Sequence, residues 1–359
     1  MIVVDNKKLL CYSESYCLYS KNGCFHIIRK ADGHQIKVKI PYLNKKHALL
    51  SKSKLFNRAL RLDPKASLMI SNDKAIVSVD GSLLFIDLNN GNFCREHFFR
   101  SGMKNTLNLV AVHGIFGFDD CVLYGEYFGN KSKESVSIFK RNEKSCWEVA
   151  YSFEPGEILH IHNIVPWKEQ KGIIVLTGDS DSESAIWLFR NNFKERTCLL
   201  KGKQFYRSCI AFTDGDTLVY ATDTPLQNNA IYKVTNIEKS PTIEKLFDMP
   251  GPCIYGRSYK NEYVFATSVE PDSEIKGWKY LLTNKRGQGV KDNKSHLIVG
   301  NINKGFREIV CKKKDIFPMG LFQFGTFVFP NGTDKELLAT CQSLAGLDRK
   351  TISLDCLLK

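Results

Sequence analysis

Two histidines separated by one residue, His160 and His162, are followed along the chain by the acidic run Gly178-Asp179-Ser180-Asp181. On an extended strand, side chains two apart share a face at a separation of roughly 6.6 Å. The two imidazoles could therefore span one divalent metal or one sugar ring. A carboxylate from Asp179 or Asp181 on an adjoining strand would orient an imidazole or complete a coordination shell. The His-x-His pair supports three uses: direct ligand contact or catalysis, hydrogen-bonded structural histidines, and metal ligation, the last of which needs further ligands of known position. The expectation is no cofactor, with a divalent metal at His160 and His162 as the variant.

The elements that must position these residues are legible as a repeat. Similar opening segments begin at Val110, Ile158, Phe205 and Cys253, a spacing of roughly fifty residues. Each is followed by a second apolar run ending in polar or acidic residues (from Val122, Ile173, Leu218 and Tyr263), then a third and a more variable fourth run. Four short strands per unit, repeated, predict an all-β β-propeller of four-stranded blades. Units starting near Leu9, Arg58, Leu109, Leu159, Tyr206, Cys253 and Met319 favour seven blades; six remain open if the first unit merely completes the last. The repeat runs without a compositional break, so residues 1–359 read as one domain, with an exposed loop or hairpin inserted at about 271–295. The stretch from Asn44 through Lys54 reads as a basic loop, and no segment sustains helical periodicity. In the runs from Ile173 and Ala185 nearly every residue is apolar, as stacked blades with both faces covered require.

Propeller topology turns these positions into a cluster. The first strand of a blade lines the central channel and the second runs antiparallel to it, so the start of one and the end of the other share a rim. That rim collects Arg58 and Arg61; His113 with Tyr124, Glu126 and Tyr127; His160 and His162 with Asp179, Asp181 and Glu183; Arg207 with Asp223; and Tyr255 and Arg257 with Glu270. A concave mouth carrying several ionisable groups suits a polar ligand. Water-lined propeller channels also tolerate polar residues without any function. The opposite rim reads as plain hairpin turns.

Charge and composition narrow the partners. The net charge of +13 is carried mainly by lysines on turns and outer strands, which keep a surface solvated and attract acidic polymers. No arginine-rich helix, aromatic ribonucleoprotein strand or zinc finger is present, which argues against nucleic acid and leaves an acidic oligo- or polysaccharide as the expected partner. Charge follows directly on a very short apolar start and no membrane-length apolar run occurs, so the reading is a cytoplasmic protein without a membrane span. The twelve cysteines are scattered with no Cys-x-x-Cys pair, as expected of buried free thiols. Oligomeric state is left open.

The stretch from Tyr124 to Tyr232 resembles bacterial sialidase-like propellers with BNR or Asp-box repeats. In that group a turn of the form Ser-x-Asp-x-Gly-x-Thr-Trp between the third and fourth strands stabilises each blade. Trp147 stands where the tryptophan would, but the Asp and Gly are missing from this turn and from the one following Arg190. The resemblance covers about a third of the chain and implies a carbohydrate-related propeller. It further implies an arginine cluster for a substrate carboxylate, for which Arg58, Arg207 and Arg257 are candidates, and a tyrosine nucleophile, Tyr124 or Tyr127, beside Glu126.

A second catalytic reading is β-elimination on a uronic-acid polymer. Arg207 or a metal would neutralise the carboxylate, and His113 or Tyr124 would act as base. Candidate catalytic residues are thus His160, His162, Asp179, Asp181, Tyr124, Glu126 and His113, with Arg58, Arg207, Asp223, Tyr255 and Arg257 binding substrate. The alternative is a non-catalytic platform for proteins or glycans, presenting an aromatic patch for which Trp167, Trp278 and Tyr280 are candidates.

Overall fold

In the computed structural model, which describes residues 1–358, seven four-stranded antiparallel sheets follow one another along the chain. Six blades are formed consecutively, their strands lying within residues 8–39, 67–98, 110–153, 160–201, 208–249 and 253–313. The seventh takes its inner strands from Thr326–Val328, Leu338–Gln342 and Thr351–Ser353 and its outermost strand from Ile2–Asp5, with Ile2 opposite Ser353. Only residues 2–5 complete the last blade; residues 8–39 build a full blade of their own, which excludes a six-blade ring.

An apolar cluster fills each gap between neighbouring blades. Along Gly172–Gly178, Ile173 and Val175 pack toward the third blade while Ile174 and Leu176 pack toward the fifth. Alternating side chains thus serve two interfaces, which is why this run is apolar throughout. Each buried Leu or Ile adds roughly 1.5–3 kcal/mol relative to exposure, and an isolated blade would lose this on both faces. Trp167 belongs to this core, its indole donating to the Gly215 carbonyl at 2.8 Å, and contributes to no surface patch.

Two expected unit starts shift. The first strand of the second blade is Ser67–Met69 and that of the seventh Thr326–Val328, whereas Arg58 and Met319 lie on short helices. The stretch read as a basic loop forms α1 (Lys45–Leu50), where Asn44 accepts from the Lys46 amide, and α2 (Lys54–Leu60). The insertion carries α3 (Gly277–Leu282) rather than a simple hairpin, with its body exposed and Asp272 and Val290 buried at its ends. Then α4 (Met319–Phe322) precedes the seventh blade. All four helices have seven residues or fewer, too short to show a periodic face. All twelve cysteines are free. No helix among the described residues is long and apolar enough to cross a membrane.

Candidate functional site

His160 opens the first strand of the fourth blade (His160–Trp167), opposite Gly178 at the end of the second. Ile161 then pairs with Thr177 and Asn163 with Leu176, so His162 is the extra residue of a β-bulge. The bulge breaks the alternation assumed for a regular strand and turns the two rings together. Their Nε2 atoms are 3.1 Å apart, half the spacing a flat strand would give. The same irregularity recurs between Leu9 and Cys11, Ser208 and Ile210, and Cys253 and Tyr255. In the fifth blade the extra residue is Cys209, whose thiol donates to Asp223 at 3.1 Å.

Asp179, the first residue after the second strand, straddles the pair: Oδ2 lies 3.3 Å from His160 Nε2 and Oδ1 3.2 Å from His162 Nε2. Arg207, immediately before the first strand of the fifth blade, sets Nη2 at 3.0 Å from Asp179 Oδ1 and 3.8 Å from Asp223. Gly178 is bare for a reason, since a Cβ there would stand 2.6 Å from the His162 ring.

The other ring nitrogens decide the protonation. His162 Nδ1 faces the Ser208 carbonyl at 3.0 Å and His160 Nδ1 the Phe128 carbonyl at 3.4 Å. Carbonyls only accept, so Nδ1 carries a hydrogen in each ring and each Nε2 is left to face Asp179. Two Nε2 atoms and a carboxylate thus face one another, an arrangement that suits a shared proton or a cation. The two Nε2 atoms are 3.1 Å apart, close to the roughly 3.3 Å edge of a tetrahedral ion with bonds of about 2.0–2.1 Å, and each faces a different oxygen of Asp179, at 3.3 and 3.2 Å. These three residues can together hold a metal ion, as can His162, Cys209 and Asp223.

Burial lowers the pKa of His160 and keeps it neutral, against the pull of Asp179. Burial alone would raise the Asp179 carboxyl; Arg207 and the two imidazoles overcome it and hold it well below the usual carboxylate range. Glu270, buried near Asp223, Arg207 and Asp179, is pushed up to about 8, first by burial and then by the Asp223 charge. Behind the site a channel cavity of about 320 Å³ is lined by Lys8, Lys65, Asn108, Tyr255 and Arg257. The Lys65 ammonium stands 5.3 Å from the centre of the Tyr127 ring, which lies 4.2 Å from that of His160. Crowding by the channel wall, aided by Arg61, brings the Lys65 amine down to about 7, although the residue is exposed to the channel solvent. A larger cavity of about 790 Å³ sits on the opposite rim among hairpin turns, where Arg190 is already paired with Glu238.

Several expected members lie elsewhere. Tyr124 is sealed between the second and third blades, stacked on Phe139 and hydrogen-bonded to His97. Glu126 turns inward to the Ser137 amide and Arg100. His113 follows the end, not the start, of the short strand Val110–Val112 and pairs with Asp120 on the far rim. Arg58 is buried against Asp315 and Asp348, and Arg257 donates to the carbonyls of Pro330, Gly332 and Thr333, so the three arginines do not form a cluster. Asp181 is exposed on the following turn. Tyr255 faces the channel near Cys209, Asp223 and Glu270. The structure thus brings together His160, His162, Asp179, Arg207 and Asp223, with Tyr127 and Glu270 beside them.

Cys209 and Lys65 were not among the expected residues. Cys209 was detectable, since it occupies the repeat position of His162; Lys65 was hidden because the second unit was started at Arg58.

No protein-family model matches the chain, and no curated protein sequence matches it. Many solved chains share its fold. It is similar to the AfRom2 CNH domain, with a TM-score of 0.55 at 9 % identity over 97 % of this chain and 94 % of that one. It is also similar to a prolyl endopeptidase, with a TM-score of 0.54 at 10 % identity over 94 % of this chain and 46 % of that one, so it spans less than half of that enzyme. Regucalcin of Agrobacterium tumefaciens, a calcium-binding protein, aligns over 90 % of this chain and 97 % of its own at 10 % identity, with a TM-score of 0.47. Likeness at these identities establishes the propeller fold alone.

Proposed function

We propose that this propeller binds an acidic, hydroxyl-rich ligand at the channel mouth, an acidic oligo- or polysaccharide being the leading class, with a divalent cation held by His160, His162 and Asp179. The observation that carries the reading is the meeting of two buried imidazoles with the partly exposed Asp179 carboxylate beside a channel lined by Lys65, Lys8 and Tyr255. A ligand carboxylate would meet the cation, and its hydroxyls the polar channel wall.

Of the two catalytic chemistries, elimination is the better supported. It needs one neutralising cation rather than an arginine triad, and Arg58 and Arg257 are engaged by the protein itself. Lys65, with its amine near 7, serves as base. It removes the proton from the carbon bearing the carboxylate; that electron pair forms a double bond to the adjacent carbon as the bond to the leaving oxygen breaks, and that oxygen takes up a proton. Hydrolysis of the sialidase type lacks its nucleophile pair, since Tyr124 is sealed in the core and Tyr127, although beside His160, has lost Glu126 to the Ser137 amide and Arg100.

The test is a panel of uronate and sialate oligosaccharides with Zn²⁺, Mn²⁺ or Ca²⁺, followed by ultraviolet absorbance for a new double bond, by reducing ends, and by calorimetry for binding alone. Absorbance growing only with uronates and metal supports elimination, and calorimetric binding without turnover supports a lectin-like site. Absence of binding to every member refutes the carbohydrate reading.

A further inference from the structure

The helices at the mouth rim are built inside out. On α2 the polar Asn57 and Arg58 are buried, while Leu55, Phe56 and Leu60 face solvent. No residue of α3 is buried, and its Trp278 and Leu282 stand out, Trp278 at 69 % exposure. Ile316, just before α4, is 87 % exposed. Polar contacts hold this cap in place: Arg58 pairs with Asp315 and donates to the Phe322 carbonyl, and Arg61 donates to the Gly320 carbonyl. Gly320 brings α4 close under α3, since a Cβ there would meet the Tyr280 carbonyl at 2.2 Å. A helix in water turns its apolar face inward; here α2, α3 and the approach to α4 together turn theirs outward.

We propose that this cap is a docking surface for an anionic lipid bilayer. Charge complementarity selects that occupant. The segment 44–61 carries exposed Lys45, Lys46, Lys52, Lys54 and Arg61 and no carboxylate, Arg58 being buried against Asp315 and Asp348. Exposed Lys276 and Lys279 flank Trp278, and Lys313 adjoins the run leading to Ile316. Apolar side chains with a tryptophan, surrounded by lysines, match an interfacial binder whose apolar residues enter the headgroup region while its cations meet anionic lipid. The three helices all lie in connections on the rim that carries His160 and Asp179, so docking turns the channel mouth toward the membrane. This inference is independent of the proposed ligand chemistry.

The test is flotation of the full chain with vesicles of phosphatidylcholine alone and with about one third phosphatidylserine. The protein should float only with the anionic vesicles and be released by raised salt. Trp278→Ser with Leu282→Ser and Ile316→Ser should abolish flotation without changing Tm, because all three side chains are exposed. Lys276→Glu with Lys279→Glu should weaken binding about 25-fold or more, each lost cation costing roughly fivefold. Failure to float with phosphatidylserine, or unchanged flotation of the triple variant, overturns the proposal. So does a concentration-dependent dimer, seen by sedimentation without lipid, that the triple variant dissolves, for that result assigns the face to a second copy of the chain.

Discussion

Gly178→Ala tests the site with a single methyl group that leaves every donor in place. On the present backbone the new Cβ would stand 2.6 Å from His162 Cε1 and 3.1 Å from Arg207 Cγ. Carbon atoms rest comfortably at about 3.5–4.0 Å, so the imidazole must retreat by about 1 Å. It cannot swing aside freely, because it is buried and its Nδ1 holds the Ser208 carbonyl at 3.0 Å. Metal–ligand distances tolerate only about 0.2 Å, so displacement of the His162 ring by several times that amount carries its Nε2 beyond what one ion shared with His160 and Asp179 can bridge. We expect a loss of zinc affinity of up to about 10²-fold, the upper end of what disturbing a ligand's orientation costs. Overpacking should cost about 1–3 kcal/mol of stability, visible as a Tm lower by a few degrees in a still cooperative transition. The assay is calorimetric titration with Zn²⁺, backed by thermal melts. For the wild type, free metal at about 100 times Kd adds roughly 2.7 kcal/mol of stability, and the variant at the same metal concentration should gain only about 0.4 kcal/mol. A Gly178→Ala protein that binds zinc as tightly as the wild type would refute the assignment of these three ligands.

The remaining expectations concern titration and folding. His160→Ala combined with His162→Ala should keep the ring folded while losing ligand and metal binding; a large fall in its melting temperature would instead assign the pair a structural role. Lys65→Met should retain metal binding but lose turnover, and wild-type turnover should rise with pH through about 7 as the amine deprotonates, a limb the variant lacks. Glu270 keeps its proton in the folded protein up to about pH 8, whereas the unfolded chain releases it near 4.5, so its contribution to stability falls as pH rises between those values. Glu270→Gln should therefore raise Tm at mildly alkaline pH and have little effect at acid pH; an equal change at both would contradict the buried, protonated state. His160 is held neutral in the folded protein, so as pH falls below about 6.5 the unfolded chain takes up the proton first and stability drops. Melts of the metal-free protein should show this drop, and His160→Asn should reduce it.

The repeat was legible because it is written locally. A run such as Ile173–Leu176 must be apolar on alternate sides to serve two neighbours, and turn residues must end each strand, so seven copies of one pattern announce seven blades. The same logic correctly brought His160, His162, Asp179, Arg207 and Asp223 to one rim, since rim position depends only on which strand a residue starts or ends. His113 was misplaced by that logic because its strand is only three residues long and ends before it.

Composition and pattern determined a ring of sheets with ionisable groups at one mouth. Tertiary structure decided which of those groups are available. The bulge at His162 arises from its register against Gly172–Gly178, and it sets two imidazoles 3.1 Å apart where a regular strand would keep them separate. Arg58 and Arg257 look free along the chain, yet they are occupied by Asp315, Asp348 and the carbonyls of Pro330–Thr333, partners distant in sequence. Strand period and turn chemistry are properties of neighbouring residues, whereas register and side-chain pairing come into being only when the blades close around the channel.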